Sequence, residues 1–248
     1  MRAAVLLAAS LVCTNALASD VKVLTAGAFK PVVEAIAADF EKNSGHHLVI
    51  DNDTGGALAR RIAGGEKFDL VVLPKGALEQ LATSGKVDGA TPLARVGIGV
   101  AVKRGAVLPE IGSVAAFRRA LLEARAVAYI DPAAGGSSGI YLAQLFDKMG
   151  IAAQIKSKAV LVPGGLVAQK VVDGAADLGV HQISEILAVR GAVLVGPIPA
   201  ELQNYTDYAG GVSAAAHEPA AARALLRTLG EEGARKAMQT RGMEALHN

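Results

Sequence analysis

Short apolar runs typical of β-strands alternate along this chain with longer runs that have helical spacing. The run Ala126–Ile130, for example, precedes a glycine-serine turn, and apolar residues with helical spacing then extend from Ile140 to Phe146. Strands separated by helices form βαβ units, which build mainly parallel sheets. The strands are nearly all apolar, as expected when helices cover both faces of a sheet. The alternation therefore predicts an α/β fold.

The number of predicted strands indicates two lobes rather than one sheet. About ten strand-like runs are too many for a single small doubly wound sheet. We expect the chain to cross between lobes near Pro92–Arg95 and again near Gly196–Tyr205. These crossings place residues 19–94 and 205–248 in lobe 1 and residues 95–204 in lobe 2. Ligands of open α/β sheets bind at the carboxyl ends of strands, so the cleft between the lobes is the predicted site.

Residues 1–18 have the pattern of a cleaved export signal. Arg2 supplies the positive charge, an apolar stretch runs from Ala3 to Val12, and Ala16–Ala18 is a small-x-small cleavage pattern. A buried helix or a membrane anchor is the alternative, but the apolar run is too short to span a bilayer. The single cysteine, Cys13, lies inside this segment, so the mature chain would contain no thiol. We expect a soluble periplasmic product.

Composition and charge argue against several classes of function. The 248-residue chain is 52% hydrophobic, which argues against disorder. Its formal net charge is +2 and no basic cluster is interleaved with aromatic residues, so nucleic acid is not an expected partner. His46 and His47 are neighbours on the approach to a strand, where adjacent side chains point to opposite faces, and they make a poor joint metal site. We expect no metal, no cofactor and a monomer.

Turns rich in glycine or hydroxyl residues follow several predicted strands. In the turn that begins at Asp131, small residues let the backbone approach a ligand, and the next helix starts with amides that lack intrahelical partners. Such a helix start attracts anions. Asp53, beside one of these turns, has no assigned role. The predicted anion-binding residues at the strand ends are Gly27, Ala28, Thr54, Gly55, Gly56, Ser137, Ser138, Gly165 and Gln182.

Several segments together resemble a known family of exported proteins. They are Val23–Ala28, Gly56–Arg60, Phe68–Val72, Asp131–Tyr141 and Asp177–Gly179. These segments resemble the molybdate-binding periplasmic proteins, which are type II solute-binding proteins of ABC importers. The resemblance covers nearly the whole mature chain. It implies a two-lobed fold, a small anionic ligand and a membrane permease as partner.

The resemblance also implies which residues would bind an oxyanion, and here the chain departs from the family. The family serine after the first strand is matched by Ala28, and the second serine by Gly55 or the nearby Thr54. Gln182 stands where the family has a tyrosine. Each lost hydrogen bond to a charged group matters by ~1.5–3 kcal/mol. These departures favour another ligand, although molybdate or tungstate bound by the serines of the third turn and by backbone amides stays an alternative.

Basic residues near the strand ends favour a longer ligand with several carboxylates. Lys30, Lys75 and His181 lie at or just after strand ends, and Arg60 follows one turn into a helix. Some members of the family resemble aconitate isomerase, which shifts a proton across an allylic system on the same scaffold. By that resemblance His181 would carry the proton, since its unperturbed pKa is ~6.5. Lys30 or Lys75 would stabilise the carbanion-like charge.

Two functions therefore stay open on the sequence. The first is a binding protein that captures a small anion, most simply a polycarboxylate, and closes by a hinge. The second is an isomerase that interconverts cis- and trans-aconitate in the same cleft. The catalytic base is not marked by any motif, and the fold alone does not decide between binding and catalysis.

Overall fold

The computed structural model describes residues 19–246, so the predicted export signal lies outside the described residues. The strands are β1 (Asp20–Ala26), β2 (His47–Asp53), β3 (Leu70–Pro74), β4 (Thr91–Val96), β5 (Ile98–Lys103), β6 (Val127–Ile130), β7 (Ala159–Val162), β8 (Leu178–Gln182), β9 (Ala192–Pro197), β10 (Thr206–Val212) and β11 (Met243–Ala245). The helices are α1 (Lys30–Ser44), α2 (Gly55–Ala63), α3 (Lys75–Thr83), α4 (Val114–Glu123), α5 (Ser137–Lys148), α6 (Ala152–Lys156), α7 (Val167–Val172), α8 (Ile183–Leu187), α9 (Pro219–Thr228) and α10 (Glu232–Thr240). None of these helices has the length and apolar character needed to cross a membrane.

The first sheet combines parallel and antiparallel strands in the order β11-β4-β10-β3-β1-β2. Strand β1 pairs in parallel with β2 and β3, as the βαβ alternation predicts. Strand β10 lies antiparallel between β3 and β4, and β11 is antiparallel to β4. The reversal arises because β10 enters after the chain has returned from the second sheet, without a βαβ crossover from β4.

The second sheet has the order β7-β6-β8-β5-β9. Strand β6 pairs in parallel with β7 and β8, whereas β5 is antiparallel to β8 and β9. Both sheets are thus mixed, with a parallel part and an antiparallel part. The predicted α/β fold of two helix-flanked sheets is confirmed, and the antiparallel strands are those nearest to the crossings between sheets.

Apolar helix faces cover the sheets and form separate cores. Helix α1 buries Val32, Ile36 and Phe40 on one face because these positions have helical spacing. In the other half of the molecule, Phe117 of α4 and Phe146 of α5 belong to a second apolar cluster. The two sheets therefore have separate cores.

The two crossings between the sheets run side by side. Gly97 separates β4 from β5, and residues 198–205 lead from β9 back to β10. The side-chain amide of Gln203 pairs with both backbone groups of Ile98: Oε1 accepts from the amide nitrogen at 2.8 Å, and Nε2 donates to the carbonyl oxygen at 2.9 Å. A Cβ on Gly97 would lie 3.1 Å from the amide carbon of Gln203. The crossings are therefore joined where a hinge between the lobes would bend.

Candidate functional site

A small cavity lies between the two sheets, at the carboxyl ends of their parallel strands. Residues from both halves line it, among them the ends of β1 and β2 and the start of β8–α8. Its volume of ≈ 40 Å³ has room for only a few water molecules. The lining residues are Ala26, Gly27, Ala28, Asn52, Asp53, Thr54, Gly55, Pro74, Ile130, Gly136, Ser137, Ser138, Gly165, His181, Gln182, Glu185 and Tyr208.

The two halves of the molecule touch each other beside this cavity. The Thr54 hydroxyl donates to the carbonyl oxygen of Ala134 at 2.5 Å, and the Gly56 amide donates to the carbonyl oxygen of Gly135 at 3.0 Å. A Cβ on Gly56 would lie 2.9 Å from the Cα and carbonyl oxygen of Gly135, so the two glycines permit this approach. The cavity is small because these contacts hold the lobes together.

Two helices begin at the cavity wall, one from each half. Thr54 caps α2 by accepting a hydrogen bond from the Ala57 amide at 3.2 Å. Ser137 and Ser138 form the first turn of α5, and Ser138 is buried. The first amides of a helix have no intrahelical acceptor, and the helix dipole places positive charge there. The cavity therefore offers donors and partial positive charge to an anion.

The Ser137 hydroxyl is the centre of a buried polar network. Nε2 of Gln182 donates to Oγ of Ser137 at 3.1 Å and to Oγ1 of Thr206 at 2.9 Å. The Thr206 hydroxyl donates to the same Ser137 oxygen at 3.2 Å. Oε1 of Gln182 is buried and has no hydrogen-bond partner within residues 19–246. Because a buried polar atom without a partner is costly, this oxygen is an available acceptor for a ligand.

His181 and Glu185 form a buried pair that lines the cavity. Nε2 of His181 lies 3.1 Å from Oε2 of Glu185, and the two side chains are 2% and 8% exposed. Burial lowers the pKa of His181 to about 3 and raises the pKa of Glu185 to about 8, because both charged forms lose hydration. Nδ1 of His181 is buried without a partner in the described part of the chain. The pair therefore favours its neutral form, and Nδ1 of His181 is available to a ligand.

Glu185 also contacts the opposite half of the molecule. A Cβ on Gly27, at the end of β1, would lie 2.6 Å from Oε1 of Glu185. Any side chain at position 27 would displace this carboxyl group. Glycine at this position thus lets the buried pair of lobe 2 reach the wall formed by lobe 1.

Asp53 is an acidic residue of the cavity lining, and the nearby guanidinium of Arg61 offsets its negative charge. Its Oδ1 accepts from the Thr54 amide at 2.7 Å, and its Oδ2 lies 3.7 Å from Nη1 of Arg61. Arg61 also pairs with Asp51 and Glu66. This guanidinium offsets the charge of Asp53, which would otherwise oppose an anion. Within residues 19–246, no group of three or more His, Cys, Asp or Glu residues is arranged to bind a metal ion.

The structure brings most of the predicted site residues together. Nine of them line the cavity: Gly27, Ala28, Thr54, Gly55, Ser137, Ser138, Gly165, His181 and Gln182. Gly56 lies beside it in the contact between lobes, and Nη2 of Arg60 lies 3.5 Å from the carbonyl oxygen of Ala134. The ligand-binding and catalytic roles of all these residues stay predictions.

The two predicted catalytic lysines lie elsewhere. Lys30 is 3.5 Å from Glu34 and Lys75 is 3.8 Å from Glu79, each one turn along its own helix. Neither lysine is part of the cavity lining. The surplus of cationic donors expected from the sequence is therefore not found in the cavity wall, where uncharged donors and helix starts occupy its place. A role for either lysine stays a prediction that needs another conformation.

Glu185 and Tyr208 are among the lining residues that were not sequence candidates. Glu185 follows His181 by four residues, a spacing that could have signalled a pair if α8 had been known to turn inward. Tyr208 lies on β10, is 3% exposed, and packs against Phe29 with ring centroids 6.2 Å apart. Burial, with a smaller contribution from the charge of Glu185, raises the pKa of Tyr208, and a hydrogen bond with Ser137 opposes this. Its phenol therefore stays protonated.

Comparisons with known proteins agree with this architecture. The family described as bacterial extracellular solute-binding protein matches residues 21–244. An aconitate isomerase from Pseudomonas sp. is 36% identical over 230 residues, covering 90% of this chain and 86% of that protein. The periplasmic molybdate-binding protein of Azotobacter vinelandii shares the fold with a TM-score of 0.72 and 18% identity, over 92% of this chain and 99% of that one. The sulfate-binding protein SubI from Mycobacterium tuberculosis H37Rv has a TM-score of 0.71 and 17% identity, over 92% and 87%. The resemblance inferred from the sequence is confirmed.

Proposed function

Because the chain belongs to the bacterial extracellular solute-binding protein family, we propose that it binds aconitate between its lobes and interconverts the cis and trans isomers. The buried pair of His181 and Glu185 in the cavity wall is the observation that carries this proposal. A protein that only captures an anion has no need of a carboxyl and an imidazole that share a proton. The 36% identity to an aconitate isomerase supports the choice of substrate.

The proposed reaction is an allylic proton shift. The pair first loses one proton, so that the Glu185 carboxylate accepts from Nε2–H of His181 and Nδ1 is free. Nδ1 then takes a proton from the methylene carbon of aconitate, and the electron pair spreads over the three-carbon allylic system. The same proton returns to the carbon at the other end of that system. The double bond has moved, the geometry about it can change, and the pair ends with the protons it had before.

Negative charge grows on the substrate when the methylene proton leaves. It spreads from the allylic carbons onto the attached carboxylate, which needs fixed donors nearby. The first turns of α2 and α5 supply backbone amides and the Ser138 hydroxyl lies among them. In this scheme uncharged donors and two helix dipoles take the role that the sequence suggested for lysines.

Substrate entry requires the lobes to separate. The cavity of ≈ 40 Å³ is far smaller than a tricarboxylate, and Thr54 and Gly56 hold the lobes in contact. In the proposed cycle, the crossings near Gly97 and Gln203 bend, the contact at Ala134–Gly135 breaks, and aconitate enters before the lobes close again.

The setting proposed for this reaction is the periplasm. The family is extracellular, and residues 1–18 have the pattern of a cleaved signal. The protein would act as a monomer. A second function, capture of a polycarboxylate for an ABC-type permease without catalysis, is favoured by the helix starts at the cavity and by the fold shared with a molybdate-binding protein.

The test is conversion of trans-aconitate to the cis isomer, followed by proton NMR with purified mature protein. We expect turnover, and a loss of about 10²–10⁴-fold in His181→Gln, since that is the usual contribution of a general acid or base. The exposed His217, replaced by Ala, is the matched control and should keep wild-type rates. Thermal unfolding of each variant shows whether it is folded.

Absence of turnover in the wild type would overturn the isomerase proposal. A thermal-shift series with molybdate, tungstate, sulfate, citrate and both aconitates would then measure the binding function. Stabilisation by molybdate or tungstate alone would also exclude a polycarboxylate as the ligand. The pH profile gives a further check: kcat/KM should rise with pH up to about 8, because the pair acts as a base only after losing a proton and burial raises the pKa of Glu185 to about 8.

A further inference from the structure

Tyr208 is a buried phenol in the cavity wall with no role in the reaction described so far. It lies on β10 two residues after Thr206, and residues two apart on a strand share one face. The hydroxyls of Thr206 and Ser137 hydrogen-bond each other at 3.2 Å, and the Tyr208 phenol lines the same cavity as Ser137. Strand β10 thus presents two hydroxyl groups on one face, with Thr206 bonded to Ser137 and Tyr208 at the cavity.

The polar network around Ser137 is formed by Gln182 and Thr206. A serine oxygen can accept two hydrogen bonds and donate one. Ser137 accepts one from Nε2 of Gln182 at 3.1 Å and one from the Thr206 hydroxyl. The phenolic hydrogen of Tyr208 is not used in this network, and the residue lines the cavity.

We propose that Tyr208 is a catalytic residue of the isomerisation and donates its phenolic hydrogen bond to the substrate carboxylate on which negative charge grows. This inference rests on the proposed function. The phenol does not transfer its proton: it strengthens one hydrogen bond as the methylene proton moves to the buried pair, and the bond weakens again when the carbon is reprotonated. Burial of Tyr208 and its packing against Phe29 hold the phenol in the cavity wall before substrate arrives.

A second tyrosine provides the matched control. The hydroxyl of Tyr141 donates to the carbonyl oxygen of Leu202 at 2.8 Å, and Tyr141 is not part of the cavity lining. Both residues lose the same oxygen when changed to phenylalanine. Only Tyr208→Phe removes a donor from the cavity, so differences between the two variants report on the site rather than on the loss of a phenol.

The experiment measures kcat, KM and binding for wild type, Tyr208→Phe and Tyr141→Phe. With trans-aconitate as substrate we expect Tyr208→Phe to lose about 10²-fold in kcat, the usual effect of removing one donor to a developing oxyanion. The Kd for trans-aconitate from calorimetry should change by no more than about threefold, because the bond matters most when charge has grown. Exchange of the methylene hydrogen in D₂O should slow as much as isomerisation. Tyr141→Phe should behave as the wild type.

The outcomes separate this inference from the proposed function. If the wild type does not interconvert the aconitates, the proposed function fails and this inference fails with it. If the wild type turns over and Tyr208→Phe keeps kcat within about threefold, only the role of Tyr208 is overturned. Equal losses of binding and turnover would also overturn it, because the phenol would then act on the ground state rather than on the developing charge.

Discussion

At two strand-to-helix junctions of this protein, a basic residue is followed four positions later by a glutamate. One of these pairs is exposed and the other is buried. After Pro74 ends β3, Lys75 lies 3.8 Å from Glu79 across one turn of α3. At the end of β8, His181 lies 3.1 Å from Glu185 with the same spacing. The first pair is 48% and 55% exposed, whereas the second is 2% and 8% exposed. One spacing thus produces a hydrated pair in one lobe and a buried pair in the other.

The surroundings of a charged pair, and not its spacing, decide what the pair can do. Water hydrates both partners on α3, so their attraction contributes little to stability. At α8, burial raises the pKa of Glu185 and lowers that of His181, so neutral forms compete with the ion pair. The buried pair therefore favours its neutral form. No pattern in the sequence indicates which junction turns toward the opposite lobe.

The largest expected effect is on the pH dependence of the free energy of unfolding, to which the buried pair should contribute and the exposed pair should not. In the unfolded chain the carboxyl and imidazole titrate near 4.5 and 6.5. The raised pKa of Glu185 means that its contribution to stability is lost as pH rises to about 8, and the lowered pKa of His181 means that its contribution is lost as pH falls to about 3. Between 4.5 and 6.5 the two slopes cancel. Above 6.5 only Glu185 matters, and the free energy of unfolding should fall by about 2 kcal/mol up to pH 8.

Glu185→Gln should remove this alkaline loss, because glutamine has no proton to lose. Urea unfolding between pH 5 and 9 measures it, and Glu79→Gln on α3 is the control that should keep the wild-type profile. If Glu185→Gln and the wild type lose stability in parallel above pH 6.5, the buried carboxyl does not hold its proton and the comparison of the two pairs is wrong.

The next largest expected effect is on ligand affinity, and it is tested with glycines in the first turns of α2 and α3. A Cβ on Gly56 would lie 2.9 Å from backbone atoms of Gly135 in the other lobe, whereas a Cβ on Gly76 meets no atom within 4 Å. Gly56→Ala should therefore disfavour lobe closure and raise the Kd for trans-aconitate about 10-fold, which is about 1.4 kcal/mol. Gly76→Ala should leave the Kd unchanged and stabilise its helix by roughly 0.5–1 kcal/mol. Equal Kd changes in calorimetry would show that the closed contact does not matter for binding.

Much of the fold could be predicted because alternation of strands and helices is a local property. The parallel pairing of β1 with β2 and β3 follows from it. Strand β10, at Thr206–Val212, has no comparable local signal. Its two glycines and polar start hid a strand whose place depends on the chain returning from the other lobe, which no local pattern records.

The residues of the candidate site also differ in whether a local sequence pattern predicts them. Thr54, Ser138 and His181 line one cavity because each lies at the carboxyl end of a strand or the start of a helix, positions that a βαβ pattern identifies. Glu185 and Tyr208 line it as well, but their places depend on how α8 and β10 face the opposite lobe. Lys30 and Lys75 were predicted site residues because of their charge. In the structure each lies near a glutamate one turn along its own helix instead.

The smallest expected effect returns to the hydrated pair. Lys75→Ala removes the partner of Glu79, and both side chains are about half exposed. We expect the free energy of unfolding to change by less than about 0.5 kcal/mol, because water replaces the lost contact. Urea unfolding at low and at high salt measures this, with Glu79→Ala as the complementary variant. A decrease in the free energy of unfolding above about 1 kcal/mol that salt does not reduce would show that water is excluded from this pair as it is from the pair at α8. The contrast between the two pairs would then be wrong.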